Sequence, residues 1–290
     1  MMKKILSFLS IVFLITFTYI VSYKITLKDN YHSFLNILTY KYNKNKDYKI
    51  DFISLYIKNL KNKKHFLNET IPVTNLVYQE NIKKPTIYIY STHTNEEYNY
   101  QKNDLYNIIP TVKTASYILE DELKRLGLYS LVEKENTIDI LNNRGLAYSS
   151  SYKISRELLE KRQEETPSLE LFFDIHRDSV KRSITTVSIN NISYAKIMFL
   201  LGLENPNYLE NKKEIEIMNN YLNTNYPGLS RGIYEKKGVG VNGVYNQDYS
   251  KHVFLVEVGG VDNTIEEVSN SLKILAEAIY NYHQQIDKKE

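Results

Sequence analysis

Cysteine is absent from the 290 residues, which excludes disulfides, thiolate metal sites and a cysteine nucleophile together. Histidine is scarce. There are six, His32, His65, His93, His176, His252 and His283, so any imidazole chemistry comes from a short roster. Excess charge is missing too: the formal net charge is +3, and Lys3, Lys4 and Lys24 account for all of it. Residues 25–290 are therefore balanced, and the pI of about 8.6 is no nucleic-acid footprint. Lys61, Lys63 and Lys64 form a small basic cluster without interleaved aromatics, which reads as a solvated surface. No internal repeat is present.

What is present begins with an uncharged run from Ile5 to Tyr23, rich in Ile, Leu, Phe and Val. At about 1.5 Å per residue it is long enough to cross a bilayer. The lysines ahead of it place the N-terminus in the cytoplasm and the remainder outside, and Ile20-Val21-Ser22-Tyr23 lacks a small-x-small cleavage site. The expectation is an uncleaved anchor over 1–23, with cleavage as the alternative, and a lysine- and asparagine-rich stalk over 24–83, with a helical piece near 50–60. A single α/β domain then fills 84–290.

In that domain the pattern alternates strand and helix. Strands are expected at Ile87–Tyr90, Leu128–Val132, Leu169–Asp174, Ile184–Ile189, Tyr194–Leu201 and Val253–Val258. Helices are expected from Pro110 to Gly127 and over 147–163, 207–224 and 264–285. The last has Val268, Leu272, Leu275, Ala276 and Ile279 on one side.

Three motifs hang on strand-like runs: Ser91-Thr92-His93-Thr94-Asn95-Glu96, Asp174-Ile175-His176-Arg177-Asp178, and Val256-Glu257-Val258-Gly259-Gly260. His93 and Glu96, three apart in a turn, point the same way and can reach one ion. His176 offers a second imidazole, which Asp178 or Asp174 can orient. Two imidazoles, a carboxylate and an open position form a catalytic rather than structural zinc set, and Glu257 can move the proton of an attacking water. Taken singly, each of these residues is equally a packed or capping side chain. His32, His65 and His283 sit in polar surroundings, and His252 is close enough to Glu257 in sequence to line a cleft.

Two other motifs compete. Gly238-Val239-Gly240-Val241-Asn242-Gly243 matches a dinucleotide fingerprint but lacks the flanking strand and helix that motif requires. Gly228-Leu229-Ser230-Arg231-Gly232 matches a nucleophile elbow, with Asp248 and His252 following, yet Asn225-Tyr226-Pro227 stands where an apolar strand belongs.

The three motifs, with Asn205-Pro206-Asn207-Tyr208, Tyr226-Pro227-Gly228-Leu229-Ser230-Arg231-Gly232-Ile233 and Tyr245-Asn246-Gln247-Asp248, closely resemble the stage II sporulation protein P family over about 84–285. The resemblance implies a zinc-dependent N-acetylmuramoyl-L-alanine amidase acting on peptidoglycan, with endopeptidase activity also ascribed to the family. It implies a mixed, mainly parallel sheet between helices, similar to cell-wall amidases and metallocarboxypeptidases. His93, Glu96 and His176 are the implied Zn2+ ligands and Glu257 the catalytic carboxylate. Arg177 is expected to stabilise an oxyanion or hold a substrate carboxylate. The implied setting is the cell membrane during engulfment, alongside stage II sporulation proteins D and M, and without nucleic acid. Family members commonly carry histidine where this chain has Ser91, so a wall-binding module without turnover is the alternative; a serine hydrolase using Ser230 is a third.

Overall fold

The computed structural model describes residues 84–99 and 109–286. The expected anchor and stalk, including the helical piece near 50–60, lie outside these residues. Among the described residues, no helix is long and apolar enough to cross a membrane.

Six strands form one sheet in the order β2-β1-β3-β8-β6-β7. β1 (Ile87–Tyr90), β2 (Ser130–Val132), β3 (Leu171–Asp178) and β8 (Val253–Gly260) run parallel. β6 (Ile197–Gly202) is antiparallel to β8, and β7 (Ser230–Lys236) runs parallel to β6. This is the mixed, mainly parallel α/β sheet expected from the alternating pattern. Parallel neighbours need crossovers, supplied by α1 (Val112–Arg125) between β1 and β2, and by α2 (Thr137–Asn143) and α3 (Ser151–Glu165) between β2 and β3. α4 (Tyr208–Asn225) joins β6 to β7, and α5 (Ile265–Ile286) closes the domain.

Strand alternation sorts the core into two layers. Tyr88 and Tyr90 stack at 5.2 Å and pack with Phe172, Leu159 and Val253 beneath α3. On the other face Phe173 stacks on Phe254, which meets Tyr282 of α5. The predicted stripe Val268, Leu272, Leu275, Ala276 and Ile279 is fully buried, and α5 packs between α1 and α4. Gly127 follows α1 at φ 81°, the left-handed stop its position demands.

Several expectations shift. The Ile184–Ile189 strand is a single helical turn, Arg182–Thr185, followed by β4 (Thr186–Ile189). The Tyr194–Leu201 strand divides into β5 (Ile192–Ala195) and β6. β4 and β5 form a separate hairpin whose turn, Asn190-Asn191, sits at φ 51° and 62°. A type I′ hairpin turn needs positive φ at both central residues, and asparagine tolerates it. β7 is unexpected, because a bulge beside Gly232 and the charges of Arg231, Glu235 and Lys236 hide its alternation. α2 is also unexpected. Asn136 caps it, accepting from the backbone N–H groups of Ile138 and Asp139.

Glu267, buried in the first turn of α5, ties the hairpin to the sheet. It accepts from Arg182 through both oxygens, from Ser193 Oγ at 2.7 Å, from Asn263 Nδ2 at 3.0 Å and from the Thr264 N–H at 3.1 Å. Burial alone raises its pKa, but these donors outweigh it and hold the carboxyl down at about 2. The folded pKa lies below the unfolded one, so this contribution is present above about 4.5 and is lost as pH falls toward 2. Its size is on the order of 2–3 kcal/mol, after allowance for the half-exposed Arg182. Urea titrations of the chain are expected to show this loss between pH 4.5 and 2, and Glu267→Gln to flatten it. An unchanged acid limb in the variant would refute the assignment.

Candidate active site

The sheet brings His176 and Glu257 together directly. They are register partners across β3 and β8, inside the strands rather than at their ends. The loop after β1 delivers His93 and Glu96 beside them: His176 Nδ1 stands 3.6 Å from Glu96 Oε2, and the two imidazoles meet edge to face with ring centres 5.2 Å apart.

Residues far away in sequence fix that loop. Thr92 donates its backbone N–H to Asp174 Oδ1 at 2.8 Å and its hydroxyl to Asp174 Oδ2 at 2.6 Å. Thr94 donates to Asn136 Oδ1 at 2.6 Å, and Asn136 Nδ2 donates to Asn95 Oδ1 at 2.9 Å. The turn itself closes through the Glu96 N–H on the His93 carbonyl at 3.0 Å. Glu96 Oε2 accepts the Arg177 backbone N–H at 3.0 Å, and the Arg177 guanidinium donates to the Glu97 carbonyl at 2.9 Å. Arg177 thus braces the loop from both its backbone and its side chain. His93 is sandwiched: Tyr148 stacks on it at 4.7 Å and Tyr152 meets it edge-on at 5.6 Å. Sequence reasoning missed these two tyrosines, although their spacing of four places them on one helical face.

Asp174, not Asp178, is the orienting carboxylate. It is completely buried, and its Oδ1 lies 3.0 Å from His176 Nε2, off the N–H direction, so the contact is an ion pair rather than an aligned hydrogen bond. Asp178 instead accepts from Arg231 at 2.7 Å.

Electrostatics separates the four groups. Burial and the neighbouring His176 lower His93 to about 4. Burial works against charge on His176 as well, but Asp174 and then Glu96 overturn it and hold the imidazole well above its ordinary range. For Glu96 burial is outweighed by His176 and by the Arg177 N–H, leaving the carboxyl low. Glu257 is the reverse: burial, assisted by Glu96 and Asp178 against the pull of His176, pushes it up to about 7.

These residues fit a zinc ion in donor chemistry, and one pair of them fits it in spacing. Two donors on a tetrahedral zinc with bonds near 2.1 Å stand about 3.4 Å apart, close to the observed 3.6 Å between Glu96 and His176. His93 Nδ1 and Glu257 Oε2 are buried with no hydrogen-bond partner among the described residues. Glu96 and His176 form the pair preset for such an ion, and His93 stands one ring away. No three such side chains among the described residues close to full ligating geometry.

The competing motifs fare differently. Ser230 Oγ donates to Asn219 at 2.6 Å and accepts the Gly232 N–H, while Asp248 pairs with Arg156 at 2.9 Å. Ser230 opens β7 opposite Ile197, itself opposite Val258, whereas His252 precedes β8 at the other end of the sheet. The structure therefore does not assemble Ser230, Asp248 and His252, and His252 lies too far down the strand to line the His176 site. Gly238–Gly243 is a loop exposed as far as Asn242, with Gly243 buried and no helix following. Ser91 is buried with its hydroxyl 3.4 Å from Ser116 of α1, on the face away from Asp174 and α3.

A family model described as stage II sporulation protein P matches residues 20–280. The stage II sporulation protein P of Bacillus subtilis (strain 168) is 31% identical over 215 residues, covering 71% of this chain and 53% of that protein. The chain thus spans about half the length of the curated relative it matches. Two solved structures are distantly similar. The N-acetylmuramoyl-L-alanine amidase AmiC2 of Nostoc punctiforme is 13% identical with a TM-score of 0.40, over 71% of this chain and 98% of that one. The CwlD amidase of Clostridioides difficile, solved in complex with the GerS lipoprotein, is 11% identical with a TM-score of 0.44, over 71% and 100%.

In the metal-free chain, His176 is expected to be an imidazolium at pH 7, and Asp174→Asn to move its titration downward because the larger of its two raising neighbours is gone. Imidazole nitrogen shifts measured by NMR across pH 4–10 check this. A neutral His176 in the wild type at pH 7 would contradict the arrangement.

Proposed function

We propose, from the premise that the chain belongs to the stage II sporulation protein P family, that it is a cell-wall hydrolase cleaving the N-acetylmuramoyl-L-alanine amide of peptidoglycan. The observation that carries the reading is the juxtaposition of Glu257, raised to about 7, with the His176–Glu96 pair across one register row. His93, Glu96 and His176 are the residues that would hold Zn2+. Bound by these residues, Zn2+ would supply an acidified water and a Lewis acid for the amide carbonyl.

The remaining work falls to the chain. Glu257, poised near neutrality, accepts the proton of the attacking water and returns it to the departing nitrogen. Asp174 fixes the face that His176 presents, and Thr92 fixes Asp174. Arg177 holds Glu96 through its backbone N–H and keeps the loop shut through the Glu97 carbonyl. Tyr148 and Tyr152 exclude water around His93.

The same reading includes an anchor over 1–23, a stalk over 24–83, and the hydrolase domain over 84–290 on the outer side of the cell membrane during engulfment. Stage II sporulation proteins D and M are the proposed partners, and cleavage between stem peptides is a second proposed activity. The turnover-free wall-binding alternative draws on Ser91, but that side chain points at α1 rather than at His176, which favours the enzyme.

The purified full chain is expected to release stem peptides from muropeptides, to stop with a chelator and to resume with zinc. Glu257→Gln is expected to keep the metal and lose about 10²–10⁴ in kcat. Wild-type turnover in that variant, or indifference to the chelator, would sink the mechanism.

A further inference from the structure

We propose that Arg231 is the substrate-reading cation of this site, binding a carboxylate on the peptide side of the scissile amide; the inference rests on the hydrolase reading above. The sheet register leads to it. His176 stands opposite Glu257, Glu257 opposite Met198, and Met198 opposite the bulged pair Arg231 and Gly232, because Ile197 pairs with Ser230 and Phe199 with Ile233. One row thus crosses four strands from the imidazole to the guanidinium. Ser230 faces α4, where it meets Asn219; Arg231 lies in the bulge, and its bond to Asp178, whose charge is felt at Glu257, puts its guanidinium on the Glu257 side. Its side chain runs back over the row to Asp178 of β3.

Arg231 is built unlike a structural arginine. Arg162, whose side chain is equally exposed at 17%, spends Nε, Nη1 and Nη2 on Glu133, Glu135 and Glu165. Arg231, also 17% exposed, makes one hydrogen bond among the described residues, from Nη1 to Asp178 Oδ2. A guanidinium carries five N–H donors in a fork matched to a carboxylate. Here Nε and Nη2 have no partner among the described residues, in a mostly buried place where a charge-assisted bond is strong. Lys236, on the same strand and over the Tyr234 ring at 5.5 Å, adds positive potential felt at Glu257.

Geometry sets the ligand. β7 lies two strand spacings, about 10 Å, from β8, and Arg231 reaches back across part of that gap. An extended peptide advances about 3.5 Å per residue, so a group two residues beyond the scissile amide falls within reach. In a peptidoglycan stem peptide the residue after alanine carries a free α-carboxylate, or an amide where the wall is amidated. Arg231 reads that difference.

The test uses the full chain and two muropeptides differing only in whether that α-carboxylate is free or amidated. Wild type is expected to favour the free acid by about tenfold or more in kcat/KM, chiefly through KM. Arg231→Gln is expected to bring the ratio to about one and Arg231→Lys to leave a reduced preference, while Arg162→Gln lowers the melting temperature and keeps the ratio. Binding of both muropeptides to Glu257→Gln, measured by calorimetry, asks the question without turnover. A tenfold binding preference there that Arg231→Gln abolishes supports the inference even if the wild type cleaves neither substrate, which would sink only the hydrolase reading. Equal binding of acid and amide, or a ratio that survives Arg231→Gln, overturns it.

Discussion

Asp174 is the constraint on which the site depends. A carboxylate wholly removed from water costs several kcal/mol unless donors surround it, and this one is satisfied by both polar groups of Thr92 and by contact with His176. The demand spreads outward. Thr92 opens the turn after β1 and also meets Ser155 of α3, whose hydroxyl accepts from Asn246 in the loop before β8. One buried charge therefore ties together the end of β1, the middle of β3, a helix and a long loop. Orientation of His176 follows from that lattice rather than from any local preference of its own segment.

The sheet contributes a second kind of precision. Parallel pairing sets His176 opposite Glu257, and a slip of one residue would turn Glu257 toward α5 and out of the site. Just beyond, β8 carries an extra residue between the partners of His176 and Asp178, and Gly259 takes φ 71° there. A β-carbon at Gly259 would stand 2.8 Å from both the Ala195 β-carbon and Asn263 Oδ1, the oxygen that accepts the Gly260 N–H. The bulge lets β8 turn into the α5 cap while Glu257 keeps its register.

The sequence shows most where periodicity and chemistry coincide. β1, β3, β8 and α5 are apolar runs or one-sided stripes, and their burial matches the pattern residue by residue. The His-x-x-Glu pair is readable because its spacing works within a single turn. What escapes is whatever depends on distant partners: α2 rests on an Asn136 cap shared with Thr94, and the clamping tyrosines come from the 3-10 turn ahead of α3 and from its first turn. β7 escapes because its bulge breaks the alternation at Arg231 and Gly232. Arg177 and Arg231 illustrate the same limit. Arg177 is legible from its adjacency to His176, whereas Arg231 meets Asp178 from more than fifty residues away.

Charge balance gives the four groups a common logic. Glu96, Asp174, Asp178 and Glu257 crowd a small, poorly solvated volume, faced by His176 and Arg231. In the metal-free chain two features keep that volume near neutrality: a proton retained on His176 and a Glu257 that gives up its own only near 7. Any divalent cation entering must displace protons, because imidazole and carboxylate bind metal only when deprotonated. The carboxylates that raise the His176 pKa, Asp174 and Glu96, are also those that would attract such a cation. His93, already lowered to about 4, carries no proton to lose near neutral pH. On the proposed reading the two imidazoles would thus bind a cation unequally, His93 without losing a charge-balancing proton and His176 only after its own had left.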